Sequence, residues 1–423
     1  MKQQIVTVQA EHIRNRKLSA GTDDEQFRQS ARRNIMKITQ LFKIYWPDNG
    51  GGIAKVMESI ADAFQDCEQE IIVCQNSAKK KGTDDSYRGV PVRRCRQMLE
   101  VCSTPISLQF LYDVKKRTKN SDIVIYHFPY PMVDLAIFLR AYSGRLIVWW
   151  HCGFEKYEKL MLIYYPLMIH TLEKADKVFV SSKSMIKNSK ILRRFQKKCS
   201  VIPFCVSEEC LERGKALANG FYRQKEQDDS VGVCRQKRRI RILFVGRLVW
   251  YKGCDILLKA FAKMKHANCR LVLVGGGPLE QELKNLAANL KLENVQFTGM
   301  VSEEEKMRQL EVCDFLVLPS VSEAEAFAVV QLEAMAFGKP VINTALKSGV
   351  PKVSIDGVTG KTVKPGSVRE LTAAMDELAQ NAGLRKEYGM NALRIVQKHY
   401  TQEVMTRRLR KVFEVLEDKR EKI

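Results

Sequence analysis

The amino-acid sequence predicts an α/β protein of more than one domain, and three observations predict it. Short apolar runs alternate with amphipathic helical patterns along most of the chain, the mark of parallel sheets covered on both faces. The alternation pauses over a polar, charged stretch, residues 207–239, and restarts at Ile240. The length, 423 residues, exceeds what one hydrophobic core ordinarily serves.

Composition narrows the class. Hydrophobic residues make up 45% of the chain, yet no stretch approaches the roughly 18 consecutive apolar residues of a spanning helix. Residues 1–33 carry four acidic and seven basic side chains and no apolar core segment, so they do not read as a signal peptide. The twelve cysteines are scattered singly, without C-x-x-C or paired Cys/His spacing, as expected of thiols in a reducing cytoplasm. Neither a disulfide framework nor a zinc site is expected. The net charge is +22, with +14 in residues 1–206 and +8 in residues 207–423. Basic clusters occur at Lys79–Lys81, Arg93–Arg96, Lys115–Lys119 and Lys187–Lys198. Such clusters suit an anionic membrane, a nucleic acid or a solvated surface, and charge alone does not choose among them.

The first strand pattern is Met36–Phe42, which makes Met36 a candidate natural start and residues 1–35 an extension. Gly50, Gly51 and Gly52 follow and open a helix with Ile53, Val56, Met57, Ile60 and Phe64 on one face. Three glycines between strand and helix permit positive φ and close approach to an anionic or carbohydrate group, although strand-to-helix turns also use glycine for steric reasons alone. The spacing is not that of the dinucleotide fingerprint. Strands are expected at Glu70–Cys74, Ile123–His127, Leu146–His151, Val178–Ser181 and Ser200–Pro203. Helices are expected at Leu108–Arg117 and Val133–Leu139, and a basic one around Met185–Lys198. His127 and His151 fall at C-terminal strand ends, where open α/β sheets bind ligands and where a histidine equally serves as hydrogen-bonded structure. Residues 207–239 read as linker and extended loop.

Beyond Ile240, strands are expected at Ile242–Val245, Arg270–Val274, Val295–Gly299, Phe315–Leu318 and Val341–Asn343, with amphipathic helices from Val368 to Asp418. Arg247 and Lys252, five residues apart across a turn, can converge on one anion or be a surface pair. After Pro319 and Ser320 comes a helix ended by Gly338 and Pro340, with Glu325 near its start and Glu333 within it. A helix start can hold a phosphate. Glu333 sits among Val329, Val330, Leu332, Ala334 and Met335, and a carboxylate in so apolar a helix needs donors. A capping glutamate and a solvated glutamate also fit this pair.

The segment Glu325–Ile342, EAFAVVQLEAMAFGKPVI, resembles the signature helix of the family-4 glycosyltransferases. GRL followed by KG at residues 246–253, the opening MKITQLFKIYWP and the crossover phrase SVIPFCVS are similar to that family as well. The resemblance spans about residues 36–411, with its sharpest motifs in the second half. It implies two Rossmann-like domains facing a cleft (the GT-B fold), with boundaries at 36–206 and 240–423, a hinge near 204–239 and terminal helices crossing back. It implies metal-free transfer of a sugar from a nucleotide diphosphate, with retention and no cofactor; no D-x-D occurs in the sequence. Arg247, Lys252 and the helix start at Phe327, Ala328 and Val329 would hold the diphosphate, and Glu333 the ribose. Glu325 and His151 would position the hexose, with His127 on the acceptor side. Gly50–Gly52 would meet the donor phosphate or the acceptor, Gly276 the nucleoside and Met300 the base. Cys205 and Ser207 stand where glycine and aspartate are more usual, and Ala328 replaces the glycine usual after Phe327.

Similarity to bacterial mannosyltransferases of surface polysaccharide assembly, with the basic first half, implies guanosine-diphosphate mannose as donor and a lipid-diphosphate-linked glycan as acceptor. The place would be the cytoplasm, at the inner membrane face. Only Tyr87 and Phe195 lie near the basic clusters, so no nucleic acid is expected as partner. The competing readings are a nucleotide-sugar epimerase on a similar scaffold, a non-catalytic sugar-nucleotide binder and a basic nucleic-acid binder.

Overall fold

Continuous apolar runs become strands buried on both faces, as in β7 (Ile123–Phe128), all six residues of which are enclosed. The computed structural model describes residues 35–418 except 49–50, 76, 78–80, 102–103, 152–157, 229–238 and 267.

The first sheet holds β1 (Lys37–Leu41), β2 (Glu68–Cys74), β3 (Thr83–Tyr87), β4 (Val90–Cys95), β7, β8 (Arg145–Trp150), β9 (Lys177–Val180) and β10 (Cys199–Val201). A separate ribbon pairs β5 (Leu99–Val101) with β6 (Thr104–Ile106). The first sheet runs in the order β10-β9-β8-β7-β1-β2-β4-β3, and only β3 is antiparallel. The second is wholly parallel, in the order β13-β12-β11-β14-β15-β16: β11 (Ile240–Val245), β12 (Cys269–Val274), β13 (Val295–Gly299), β14 (Phe315–Val317), β15 (Val341–Thr344) and β16 (Gly360–Val363). Both central orders reverse direction beside the strand that begins the domain, and the crevice at such a switch point is where open α/β sheets take ligands. The two-domain α/β architecture expected from the sequence is present.

Helices relevant to the site are α1 (Gly52–Ala63), α2 (Leu108–Arg117), α3 (Lys183–Asn188), α4 (Lys190–Arg194), α5 (Glu208–Asp228), α6 (Glu303–Val312), α7 (Val329–Ala336) and α8 (Gln402–Asp418). Helix α8 crosses back onto the first domain, stacking Phe413 on Phe64 at 4.7 Å between ring centres and donating from Gln402 Nε2 to the Ser59 carbonyl at 2.6 Å.

Three local expectations are corrected. The stretch read as linker and loop begins instead as α5. Its inner side carries Cys210, Leu211 and Gly214, and a Cβ at Gly214 would lie 2.0 Å from the Ala336 carbonyl oxygen. That glycine reads as a breaker in sequence, but here it lets α5 lie against α7. The basic segment is two short helices rather than one. Ser189 ends α3 and caps α4, accepting from the Leu192 amide at 3.2 Å. Within that segment Lys198 is not a surface charge: its ammonium donates to the carbonyls of Leu172, Glu173 and Ala175. The hairpin β3–β4 and the ribbon β5–β6, in polar sequence with weak alternation, are additions to the expected strands.

Candidate active site

The cleft site is assembled at the C-terminal ends of β11, β12 and β14. β11 runs into Gly246 and Arg247, then a turn at Trp250–Lys252. The turn closes through Gly253, which has φ +65° and whose added Cβ would lie 2.2 Å from the Pro319 carbonyl oxygen. Only glycine satisfies both demands. The turn is tied to the loop after β14 by the Val321 amide donating to the Tyr251 carbonyl at 2.8 Å. Lys252 is thereby held in a buried ion pair with Glu325. Burial would lower the Lys252 ammonium, but the Glu325 charge outweighs it and raises its pKa. Glu325 Oε2 also accepts from Ser320 Oγ at 3.1 Å.

Arg247 is exposed, and its guanidinium has no ion-pair partner among the described residues. Helix α7 starts beside this pair. Ala328 is its N-cap, with φ +58° and no side-chain cap bond, so the first amides of α7, at Val329 and Val330, are not satisfied by a cap. An exposed guanidinium, an ammonium and uncapped helix amides together suit a diphosphate. The left-handed conformation also explains why glycine is usual there, since a Cβ in that region costs about 1–2 kcal/mol.

Gly276 and Met300, far apart in sequence, come together: a Cβ on Gly276 would lie 3.2 Å from Met300 Cγ. Gly275, with φ +126°, packs so closely that a Cβ would lie 2.1 Å from the Gly246 carbonyl oxygen. These contacts align the loops after β11, β12 and β13 as one wall.

Glu333 is buried in α7, as its apolar neighbours suggested. Its donors come from both domains: Lys55 on α1 at 2.5 Å and Lys306 on α6 at 2.8 Å, both to Oε1, while Glu303 binds the same two lysines at 2.7 and 2.5 Å. Burial opposes ionisation of Glu333, but Lys306 and then Lys55 overcome it and hold its pKa at about 2. Oε2 has no partner among the described residues. Lys55, Lys306 and Glu303 were not singled out in the sequence, where each reads as a solvated helix charge.

On the first domain, Gly51 caps α1 with φ −69°, and Gly52 begins the helix with nothing within 4 Å of an added Cβ. Neither uses the positive φ expected of that loop; Gly50 lies outside the described residues. His151 follows β8 and is 6% exposed. Its ring approaches Phe204 at 5.7 Å, and Phe204 meets Phe327 at 4.9 Å, which links it to the start of α7. His127 was expected on the acceptor side. It is fully buried instead, with Nδ1 2.9 Å from His151 Nε2 and Nε2 2.9 Å from Gln40 Oε1, so it stands behind the cleft wall. Gln40 was missed, though an amide inside the apolar strand Ile38–Leu41 is a signal in itself.

Comparison with known proteins agrees with this geometry. The family model described as "Glycosyl transferases group 1" matches residues 226–394. The chain is similar to the O-antigen chain mannosyltransferase C of Escherichia coli, at 32% identity over 88% of this chain and 96% of that protein. It is also similar to the D-rhamnosyltransferase WbpZ of Pseudomonas aeruginosa, at 30% identity over 84% of this chain and 90% of that protein. Among solved structures, sucrose-phosphate synthase from Thermosynechococcus elongatus superimposes with a TM-score of 0.71 at 18% identity, covering 90% of this chain and 99% of that one. HepE of Anabaena in complex with UDP gives 0.67 at 18% identity, covering 90% and 100%. With two α/β domains built on parallel sheets and relatives matched over most of their length, the chain belongs to the group 1 glycosyl transferases, the family-4 type with the GT-B fold.

Proposed function

We propose that this glycosyltransferase moves mannose from guanosine-diphosphate mannose, with retention and without a metal, to a lipid-diphosphate-linked glycan of surface polysaccharide. The observation that carries the reading is the uncapped start of α7 beside Arg247 and the Lys252–Glu325 pair. Arg247, Lys252 and the amides of Val329 and Val330 take the donor diphosphate and the charge that grows on it as it leaves. Glu333 Oε2 accepts from a ribose hydroxyl while Oε1 stays with the lysines. The base rests near Gly276 and Met300. Glu325 and His151 orient the hexose. The acceptor hydroxyl attacks the anomeric carbon on the face from which the diphosphate departs. The carbon–diphosphate oxygen bond breaks, the new glycosidic bond forms, and the acceptor proton passes to the departing diphosphate oxygen.

Mannose as the sugar is supported by the E. coli relative, which is named a mannosyltransferase, and polysaccharide assembly by the O-antigen in that name. No helix among the described residues is long and apolar enough to cross a membrane. Attachment to the inner membrane face is supported by exposed Lys183, Lys187, Lys190, Arg193 and Arg194 on α3 and α4.

A thermal-shift panel with UDP, GDP and ADP, with and without magnesium, tests the donor. A metal-independent rise with GDP alone is expected, because a ligand of the native state raises Tm by mass action. A rise with UDP alone would replace guanosine, and no rise with any would overturn the donor site. Transfer of labelled mannose to lipid extract, with the product's anomeric configuration read by NMR, tests reaction and stereochemistry together.

A further inference from the structure

Behind the cleft wall, three side chains form a file whose hydrogen-bond directions follow from chemistry alone. A backbone carbonyl can only accept, so Gln40 must present Nε2 to the Met57 carbonyl, 3.1 Å away. That turns Gln40 Oε1 toward His127 Nε2 at 2.9 Å, and an amide oxygen also only accepts. The proton of His127 therefore sits on Nε2. A neutral imidazole has one N–H, which leaves His127 Nδ1 as an acceptor 2.9 Å from His151 Nε2. The proton of His151 is then on its Nε2, and its Nδ1 carries a lone pair. No described residue satisfies that Nδ1.

Both rings are neutral for a physical reason: burial drives them far below the ordinary histidine range, His151 to about 3. Their surroundings are aromatic, with Phe42, Trp149 and Phe204 as ring neighbours. The two imidazoles lie nearly parallel, 16° apart, and both stack on Trp149, which fixes their ring orientation.

We propose that Gln40 and His127 are positioning residues that lock His151 in its Nε2–H tautomer and present Nδ1 as an acceptor to a hydroxyl of the bound sugar. A lone pair facing the ligand welcomes a hydroxyl and repels an anionic oxygen, so His151 recognises the sugar and not the diphosphate. The identity of the hydroxyl rests on the glycosyltransferase reading; the tautomer does not.

Nitrogen-15 NMR of histidine-labelled protein, with His127 and His151 assigned through single variants, reads the tautomer without altering the chain. A proton on His151 Nε2 and none on Nδ1 is expected; the reverse arrangement, or a charged ring at neutral pH, overturns the proposal. His127→Leu removes the acceptor, whereas His127→Asn puts a side-chain oxygen near the position of Nδ1. The leucine variant should lose about 10- to 100-fold in kcat/KM for the nucleotide sugar while its affinity for the free nucleoside diphosphate stays unchanged, and asparagine should recover most of that loss. Equal losses in both variants, or loss of diphosphate affinity together with transfer, would show His127 to be merely structural. Wild-type protein that neither binds a nucleoside diphosphate nor transfers sugar would instead defeat the functional reading, and the NMR result would still decide the relay.

Discussion

Lys55 of the first domain donates to Glu333 of the second at 2.5 Å, so one carboxylate oxygen joins the two halves of the cleft. Lys306 shares that oxygen at 2.8 Å, and Glu303 completes a square of alternating charges. The pairing balances two costly desolvations, and removing the carboxylate leaves two lysines competing for Glu303. Glu333→Ala is expected to lose about 3 kcal/mol in urea unfolding, because it leaves a buried cation under-compensated. Lys55→Met should lose about 1 kcal/mol, since Lys306 still serves Glu333.

Arg247 and Lys252 separate in their effects on stability. Arg247 is exposed, so Arg247→Ala should shift stability by less than about 0.5 kcal/mol while transfer falls about 100-fold or more. Lys252→Ala should lose transfer and also stability, because Glu325 would remain buried with Ser320 as its one side-chain donor among the described residues. Initial rates beside urea melts check both; unimpaired transfer by Arg247→Ala would remove it from the diphosphate site.

Ala328 caps α7 with φ +58°. Ala328→Gly relieves that backbone strain and opens space at the helix amides, against the greater chain entropy of glycine in the unfolded state. The expected net gain is about 0.5–1 kcal/mol, with tighter nucleoside-diphosphate binding by calorimetry. A loss of stability would mean the alanine methyl contributes more by packing than its conformation costs.

Acid should weaken the fold through the histidine pair. His127 and His151 have native pKa values below the ordinary one, so the unfolded chain binds protons that the native state refuses. Their stabilisation is complete above about pH 6.5 and is lost as pH falls toward the native values, at up to about 1.4 kcal/mol per pH unit for each ring. Asp134 acts in the opposite sense, because burial raises it to about 6 and its cost is relieved as pH falls through that value. Glu333, held at about 2, adds acid sensitivity only below the ordinary glutamate range. Urea melts at pH 7.5, 6.0 and 5.0 should therefore show a shallower decline for His127→Asn than for the wild type.

Much of the fold was legible in the chain. The apolar runs at Ile123, Leu146, Ile242 and Val341 gave strands within one or two residues of their observed ends, and Leu108–Arg117 is the helix its spacing predicted. The strands are enclosed over most of their length, so hydrophobicity alone marks them, whereas the helix is marked by the spacing of Phe110 and Val114 on its one buried face. Helix α5 was not legible, because its buried side consists of small or modest residues and the rest of its described surface carries charges such as Arg213, paired with Glu304 and Glu311 at 2.7 Å. The hairpin β3–β4 was hidden for a related reason, since its outer strand Thr83–Tyr87 is largely exposed.

For the site, sequence and resemblance singled out Arg247, Lys252, Glu325, Ala328, Glu333 and His151, because a turn, a helix start and a carboxylate in an apolar helix leave marks over a few neighbouring residues. Partnership was decided only in three dimensions. Lys252 meets Glu325 across 73 positions of sequence, Lys55 meets Glu333 across 278, and Gln40 meets His127 across 87. Local chemistry is written in adjacent residues, whereas the charge that neutralises a buried carboxylate and the carbonyl that orients an imidazole come from wherever folding places them.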